Sequence, residues 1–199
     1  MSLGDIRHWV FDMDGTLTVA VHDFAAIRQA LGIPAAHDIL SHLAALPADE
    51  AAAKHAWLLE HERDLALASQ AAVGAVELVR ELAARDCRLA ILTRNARELA
   101  HVTLQAIGLA ECFPVEQILG RDEAAPKPSP DGLLQIARAW GVAPGEMVMV
   151  GDYRFDLDCG RAAGTRTVLV NLSDNPWPHL TDWHAADCRA LKGLLLDAQ

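Results

Sequence analysis

Four short apolar runs are the feature of this sequence that most limits its fold. They cover residues 8–11, 88–92, 147–150 and 167–170. Each run is continuous rather than alternating, which is typical of parallel strands covered on both faces. Apolar residues recur at helical spacing between the runs, within residues 76–83, 99–106 and 133–137. This alternation predicts an α/β fold with a doubly wound, Rossmann-like and mostly parallel sheet. Weaker strands are expected at residues 116–119 and 187–189.

Residues 17–76 interrupt this alternation of strands and helices. They contain 18 alanines and two glycines without a clear strand, so the segment is expected to be helical throughout. Amphipathic stretches lie within residues 24–31, 39–46 and 57–65, and the third stretch is open to division into two helices. The sequence therefore predicts an α/β core of residues 1–16 and 77–199, with a small helical cap of residues 17–76 inserted after the first strand.

Composition excludes several classes of function. The net charge of −10 and the absence of a basic stripe disfavour nucleic-acid binding. The longest uncharged stretches have 12 residues, fewer than the roughly 20 of a membrane span. The N-terminus has no secretory pattern. Four widely spaced cysteines fit neither a disulfide scaffold nor a zinc cluster, so a cytoplasmic protein is expected.

Two acidic residues, Asp12 and Asp14, follow the first apolar run. In extended backbone their side chains leave on one side, with Cα atoms about 6.5 to 7 Å apart. Carboxylates this close repel unless a cation or a proton accompanies them. Ligands bind at the carboxyl ends of strands in such sheets. A solvated Asp-Gly turn at residues 14–15 is the alternative interpretation.

A second acidic group follows the 147–150 run. Asp152 comes after Gly151, which permits close backbone approach, and Asp156 lies four residues further on. If Asp156 begins a helical turn, its carboxylate returns toward Asp152. Capping of the following helix is an alternative for Asp156, but it does not explain Asp152. Oxygen ligands without His or Cys suit Mg²⁺, which recruits substrate phosphate, so a phosphorylated small molecule is expected as the substrate.

Two further segments can bind an anion. Thr93, Arg94 and Asn95 lie between a strand and a helix, where a hydroxyl and backbone N–H groups hold anions. Ordinary helix capping by Thr93 or Asn95 is the alternative. Lys127, one of three lysines in the chain, lies between two prolines that stiffen its loop.

Together these segments resemble the four ordered motifs of the haloacid dehalogenase superfamily. The matching segments are residues 11–17, residues 92–95, Lys127 within residues 126–128, and residues 151–156. The helical insertion resembles the C1 cap of the phosphoglycolate-phosphatase-like branch. The resemblance covers nearly the whole predicted core.

The resemblance implies a role for each residue. Asp12 would be the nucleophile that forms an aspartyl-phosphate, and Asp14 the general acid and base. Asp12, Asp152 and the main-chain carbonyl of Asp14 would hold Mg²⁺, and Asp156 would ligate it directly or through water. Thr93 and Lys127 would bind phosphoryl oxygens, with Arg94 and Asn95 beside them. Because Asp14 is an acid, the resemblance favours phosphatases and phosphomutases over dehalogenases and phosphonatases.

Hydrolysis of a small phosphorylated metabolite is the expected activity, by a monomer or a homodimer. A β-phosphoglucomutase-like mutase stays open, although the cap offers only Arg28, Lys54 and Arg63 for a second phosphate. A non-catalytic module that binds a phosphorylated metabolite is a further alternative. Residues 153–155 are expected at the rim of the site, where relatives often have a smaller residue. His22, at the cap hinge, is expected to contact either substrate or solvent.

Overall fold

A computed structural model describes residues 2–20 and 24–197. Within these residues the chain forms one sheet of six strands, and all neighbouring strands are parallel. The strands are β1 (His8–Phe11), β2 (Arg88–Leu92), β3 (Ile118–Leu119), β4 (Met147–Gly151), β5 (Arg166–Val170) and β6 (Trp183–Ala185). Their order is β3-β2-β1-β4-β5-β6, so β1 and β4 lie at the centre. The predicted doubly wound parallel sheet is confirmed.

Eight α-helices occur in the same described residues. They are α1 (Phe24–Leu31), α2 (Ile39–Ala44), α3 (Ala48–Leu67), α4 (Ala75–Ala84), α5 (Arg97–Ala106), α6 (Asp131–Trp140), α7 (Arg154–Ala163) and α8 (Cys188–Asp197). Three-residue 3₁₀ helices lie at Leu3–Asp5, Ala110–Cys112, Val115–Gln117, Pro144–Glu146 and Pro178–Leu180.

Helices cover both faces of the sheet. Trp9 and Phe11 of β1 pack on the face covered by α4, α5 and α8. Val10, between them, packs on the opposite face against α6 and α7. Since successive strand residues point to opposite faces, a strand buried on both sides must be apolar at every position. This burial explains why the strands read as continuous apolar runs.

The inserted helices α1, α2 and α3 have a small hydrophobic cluster of their own. Its members include Ile27, Leu31, Leu43 and Leu58, all at most 5% exposed. Leu17, by contrast, packs with the main core. The predicted domain boundaries at residues 17 and 76 stay a prediction.

Two local predictions were wrong. The sixth strand is Trp183–Ala185, and not residues 187–189, because the Asp187 carboxylate accepts the Ala190 N–H at 2.7 Å and starts α8. Residues 17–76 are not helical throughout, since Thr18 and Ala71 form an isolated antiparallel bridge. Residues 57–65 lie within one helix, α3, so the division that the sequence left open does not occur.

Candidate active site

Three strands of the sheet deliver polar side chains to one edge. Asp12 follows β1, Thr93 follows β2, and Asp152 follows β4. The backbone ladder continues one residue past the strands, because the Asp12 N–H donates to the carbonyl of Val150 at 2.9 Å and the Thr93 N–H to that of Leu119 at 3.0 Å. Hydrogen bonds within the sheet therefore fix the backbone positions of Asp12 and Thr93 at the ends of their strands.

Three carboxylates converge beside these strand ends. Asp12, Asp152 and Asp156 each offer an oxygen, and these oxygens all lie within 4.8 Å of one another. Asp156 is the third residue of α7 and is 3% exposed. Gly151 permits this approach, since a Cβ there would lie 2.2 Å from the Cβ of Asp156. The two acidic segments of the sequence thus form one cluster.

Lys127 reaches into this cluster from the loop before α6. Its Nζ donates to Asp12 Oδ1 at 2.5 Å and to Asp156 Oδ1 at 2.7 Å. Its side chain is only 3% exposed. One ammonium therefore faces three carboxylates, so the fully ionised group keeps an excess of negative charge that a cation would neutralise.

The pKa values of these groups reflect that excess. Burial, together with the charges of Asp156 and Asp152, raises the pKa of Asp12 to about 8 although Lys127 opposes the shift. Burial and the charge of Asp156 raise the pKa of Asp152 to about 6. Burial alone would lower the pKa of Lys127, but Asp12 and Asp156 outweigh it and raise that pKa. Like charges brought together out of water favour proton uptake or cation binding.

Thr16 connects the two acidic strand ends, and sequence reasoning gave it no role. Its Oγ1 lies 2.9 Å from Asp152 Oδ1 and 3.3 Å from Asp12 Oδ2. The preceding Gly15 has a φ of +88°, and a Cβ there would lie 2.4 Å from Asp152 Oδ2. A side chain at position 15 would therefore displace the Asp152 carboxylate.

Asn171 was also missed, although it directly follows the apolar run of β5. Its side-chain amide donates to the carbonyl oxygens of Gly15 and Thr16 at 2.7 and 2.9 Å. Its φ is +62°, a conformation in which Asn is less strained than most residues. A residue distant in sequence therefore braces the loop after β1.

The segment after β2 folds into a tight turn. The Asn95 N–H donates to Thr93 Oγ1 at 3.0 Å, and Asn95 Oδ1 accepts the Ala96 N–H at 2.8 Å. Thr93 and Asn95 are both buried. The N-cap of α5 is Ala96, so neither Thr93 nor Asn95 occupies the N-cap position itself.

Two arginines join this edge to the inserted helices. Arg94 Nη2 donates to Asp38 Oδ2 at 2.7 Å, and its guanidinium lies over the ring of Phe155 at 5.6 Å. Arg121 donates to both carboxylate oxygens of Glu62 at 3.1 and 2.9 Å. No sequence pattern pointed to Asp38, Glu62 or Arg121, because each contact depends on how the cap sits on the core.

The remaining predicted residues lie as follows. Asp14 is half-buried two residues beyond Asp12, and is not one of the three clustered carboxylates. His22 lies outside the described residues. The possible metal ligands in the cluster are all carboxylate oxygens, and they lie within 4.8 Å of one another. Such a set of ligands fits a hard divalent cation such as Mg²⁺ and not a metal that prefers nitrogen or sulfur ligands.

Comparisons with known proteins show which family the chain resembles in sequence and fold. The sequence model of the haloacid dehalogenase-like hydrolases matches residues 6–164. A haloacid dehalogenase-like hydrolase domain-containing protein of Arabidopsis thaliana is 33% identical over 178 residues, covering 83% of this chain and 71% of its own. A phosphoglycolate phosphatase of Escherichia coli O157:H7 is 30% identical over 173 residues, or 82% of this chain and 63% of that protein. A crystal structure of a hydrolase from Pseudomonas syringae superposes with a TM-score of 0.76 at 25% identity, covering 96% of this chain and 98% of that one.

The chain belongs to the haloacid dehalogenase-like hydrolase family. Its relatives place it in the phosphoglycolate-phosphatase-like branch, so the protein is an enzyme of the phosphatase class. Among the described residues, no helix combines the length and apolarity needed to cross a membrane.

Proposed function

We propose that the protein is a Mg²⁺-dependent phosphatase that hydrolyses a small-molecule phosphate monoester through an aspartyl-phosphate on Asp12. The observation that carries this proposal is the convergence of buried Asp12, half-buried Asp152 and buried Asp156 with the buried Lys127 at the carboxyl ends of neighbouring strands. A carboxylate can serve as the nucleophile of phosphoryl transfer, and a buried ammonium and a divalent cation can stabilise the charge on the transferred group.

Each residue has a proposed task. Asp12 attacks phosphorus, and Asp14 gives a proton to the departing alkoxide and later takes one from the hydrolytic water. Thr93 and Lys127 stabilise charge on the phosphoryl oxygens, with Asn95 and Arg94 beside them. These tasks leave the excess negative charge of the three carboxylates to be balanced.

Mg²⁺ would be held by Asp12, the main-chain carbonyl of Asp14, Asp152 and Asp156. When bound, the ion supplies positive charge that offsets repulsion between the carboxylates and the phosphate. The raised pKa values of Asp12 and Asp152 support a site that is completed by a cation.

The cap supports hydrolysis over phosphate transfer between two sugar positions. A mutase must hold a second phosphate, for which the cap offers Arg28, Lys54 and Arg63. Arg28 Nε donates to the carbonyl of His37 at 3.1 Å, and Lys54 pairs with Glu50 at 3.1 Å. The Lys54 contact is an ordinary i,i+4 pair on one helix.

The test compares Asp12→Asn with Asp158→Asn, using p-nitrophenyl phosphate and a panel of metabolite phosphates with and without EDTA. Asp158 lies two residues beyond Asp156 and pairs with Arg154 at 3.1 Å, outside the cluster. We expect Asp12→Asn to lose about 10³-fold or more in kcat, as removal of a nucleophile does, and Asp158→Asn to keep its activity.

Mass spectrometry after rapid acid quenching should place a phosphoryl group on the peptide that contains Asp12. Equal turnover by the two variants rejects Asp12 as the nucleophile, and activity that resists exhaustive EDTA treatment rejects the metal requirement.

A further inference from the structure

Three aromatic side chains form a continuous wall beside the candidate active site. The aromatic rim consists of Tyr153, Phe155 and Trp177. The Tyr153 ring meets that of Phe155 edge to face at 5.2 Å, and that of Trp177 edge to face at 5.6 Å. This is the favoured arrangement of aromatic pairs, so the three rings support one another's positions.

The rim exposes aromatic side chains to solvent, although this chain has few aromatic residues. The chain has five tryptophans, four phenylalanines and a single tyrosine. Trp9, Phe11 and Phe113 are fully buried, whereas Tyr153 is 53% exposed and Phe155 36% exposed. Contiguous apolar side chains exposed at a protein surface are typical of binding sites.

The rim is continuous with the candidate active site. The Tyr153 N–H donates to Asp156 Oδ2 at 3.1 Å, which joins the rim to the carboxylate cluster. Phe155 lies under the guanidinium of Arg94, the residue after Thr93, and Arg94 in turn binds Asp38 of the cap. The rim therefore lies next to the carboxylate cluster, and Arg94 connects it to the cap.

The far end of the rim is also fixed in place. The Trp177 N–H donates to Asn175 Oδ1 at 2.9 Å, and Thr181 Oγ1 donates to the carbonyl of Trp177 at 2.9 Å. These bonds hold the loop between β5 and β6 so that its indole reaches Tyr153. A surface that is already arranged loses little conformational entropy when it binds a ligand.

We propose that the aromatic rim is a subsite for the alcohol part of the substrate and selects phosphate monoesters whose alcohol carries an aromatic ring. The inference rests on the proposed function and extends it to a substrate class. Lys127, together with a cation held by the carboxylate cluster, would suit the phosphate, and the adjoining rim is the apolar surface that suits a flat, uncharged group. Arg94 adds a cation beside the rings, which a further aromatic face can also contact.

The test compares 2-phenylethyl phosphate with 2-cyclohexylethyl phosphate, in which a saturated ring of similar size replaces the aromatic one. Both release an unactivated primary alkoxide, so the chemical step is matched and the esters differ chiefly in the aromaticity of the ring. We expect the wild-type protein to prefer the aromatic ester in kcat/KM by about threefold to tenfold, the range typical of aromatic pairs. Tyr153→Ala and Trp177→Ala should bring the ratio toward one, and Tyr153→Phe should preserve it.

Trp57→Ala is the matched control. Trp57 lies on α3, is 40% exposed, and stacks on His61 of the same helix at 5.1 Å, so the variant removes an exposed ring that is not part of the rim. It should leave the ratio unchanged. Melting temperatures close to that of the wild type would show that the rim variants remain folded.

The outcomes separate the two proposals. If the wild-type protein hydrolyses both esters with equal kcat/KM, or the rim variants keep the wild-type ratio, the rim proposal is overturned and the phosphatase proposal stands. If the protein hydrolyses neither ester nor p-nitrophenyl phosphate with Mg²⁺, both proposals are overturned. If the rim variants change the sedimentation behaviour and not the ratio, the rim is an interface between copies of the chain.

Discussion

The side-chain amide of Asn171 donates to the carbonyl oxygen of Gly15 at 2.7 Å, so a residue after β5 braces the loop after β1. This loop carries Asp14 and ends at Thr16, whose hydroxyl contacts both Asp12 and Asp152. The position of the proposed nucleophile relative to the proposed metal ligands therefore depends on a contact between segments more than 150 residues apart in sequence.

Asn171→Gly should lower kcat by about tenfold and destabilise the protein by about 1–2 kcal/mol, because two hydrogen bonds to the loop are lost. Glycine tolerates the φ of +62°, so the variant tests the amide rather than the backbone. Steady-state kinetics, calorimetric titration with Mg²⁺ and urea unfolding supply the measurements. Weaker Mg²⁺ binding in the variant would show that the loop positions the carboxylates.

Asp86→Gly provides the control for this prediction. Asp86 also has a positive φ, of +56°, but it lies in the turn between α4 and β2 and is exposed. Its replacement should leave kcat and Mg²⁺ binding unchanged. A loss of kcat of the same size in both variants would contradict a positioning role for Asn171.

Magnesium binding should strengthen as pH rises. The folded protein raises the pKa of Asp152 to about 6 and that of Asp12 to about 8, from a usual value of 3.8. A carboxyl group whose pKa is raised by folding contributes to the free energy of unfolding below about pH 4. This contribution is lost as the pH rises through the pKa of that group in the folded protein. The Mg²⁺-free protein therefore loses this contribution between about pH 4 and about pH 8, as the carboxylates ionise.

Binding of Mg²⁺ requires ionised carboxylates, so it releases protons within that range. Calorimetric titrations at several pH values, each in two buffers with different ionisation enthalpies, measure both affinity and proton release. Stabilisation by Mg²⁺ should be larger at about pH 8 than at about pH 5. An affinity independent of pH over this range would show that Asp12 and Asp152 do not titrate there.

The Arg121–Glu62 pair should fasten the cap to the core. Both side chains are largely buried, at 13% and 12% exposure, and the contact is bidentate. A double-mutant cycle with Arg121→Met and Glu62→Gln should give a coupling of about 1–2 kcal/mol in unfolding free energy. The same cycle on Lys54 and Glu50, where Glu50 is 53% exposed, should give less than about 0.5 kcal/mol.

Equal coupling in the two cycles would contradict a special role for the buried pair. Arg121 also lies in the loop that leads to Lys127, so its variant should raise KM for phosphate esters if cap and core must stay joined around the substrate. Steady-state kinetics of the wild-type protein, the two single variants and the double variant measure this effect on KM independently of the unfolding measurements.

How far the sequence predicts the fold depends on burial. Continuous apolar runs located β1, β2, β4 and β5, because both faces of these strands are covered. β6 lacks such a run, since Trp183 and His184 are only half-buried. The sequence left open whether residues 57–65 form one helix or two, because only Leu58 and Ala66 are buried along α3 and its apolar residues show little periodicity from which to judge its continuity.

The part of the candidate site that lies at the ends of the parallel strands was predictable from the sequence. Parallel strands place Asp12, Thr93 and Asp152 at one edge whatever the details of packing, and the start of α7 carries Asp156 toward them. Contacts that cross between loops were not predictable in this way. The bond from Asn171 to Gly15 and the pair of Arg94 with Asp38 depend on exact loop positions, which no local spacing records.

Asp14 should matter most for substrates with poor leaving groups. If it protonates the departing oxygen, Asp14→Ala removes help that an alkoxide needs and that p-nitrophenolate does not, since general acids contribute about 10²–10⁴-fold where they act. The variant should therefore lose far more kcat/KM toward n-butyl phosphate than toward p-nitrophenyl phosphate, and a plot of rate against leaving-group pKa should steepen. Asp158→Ala serves as the control and should keep the wild-type slope. Equal losses across the series would remove the general-acid assignment, because a residue that only shapes the loop would slow every ester alike.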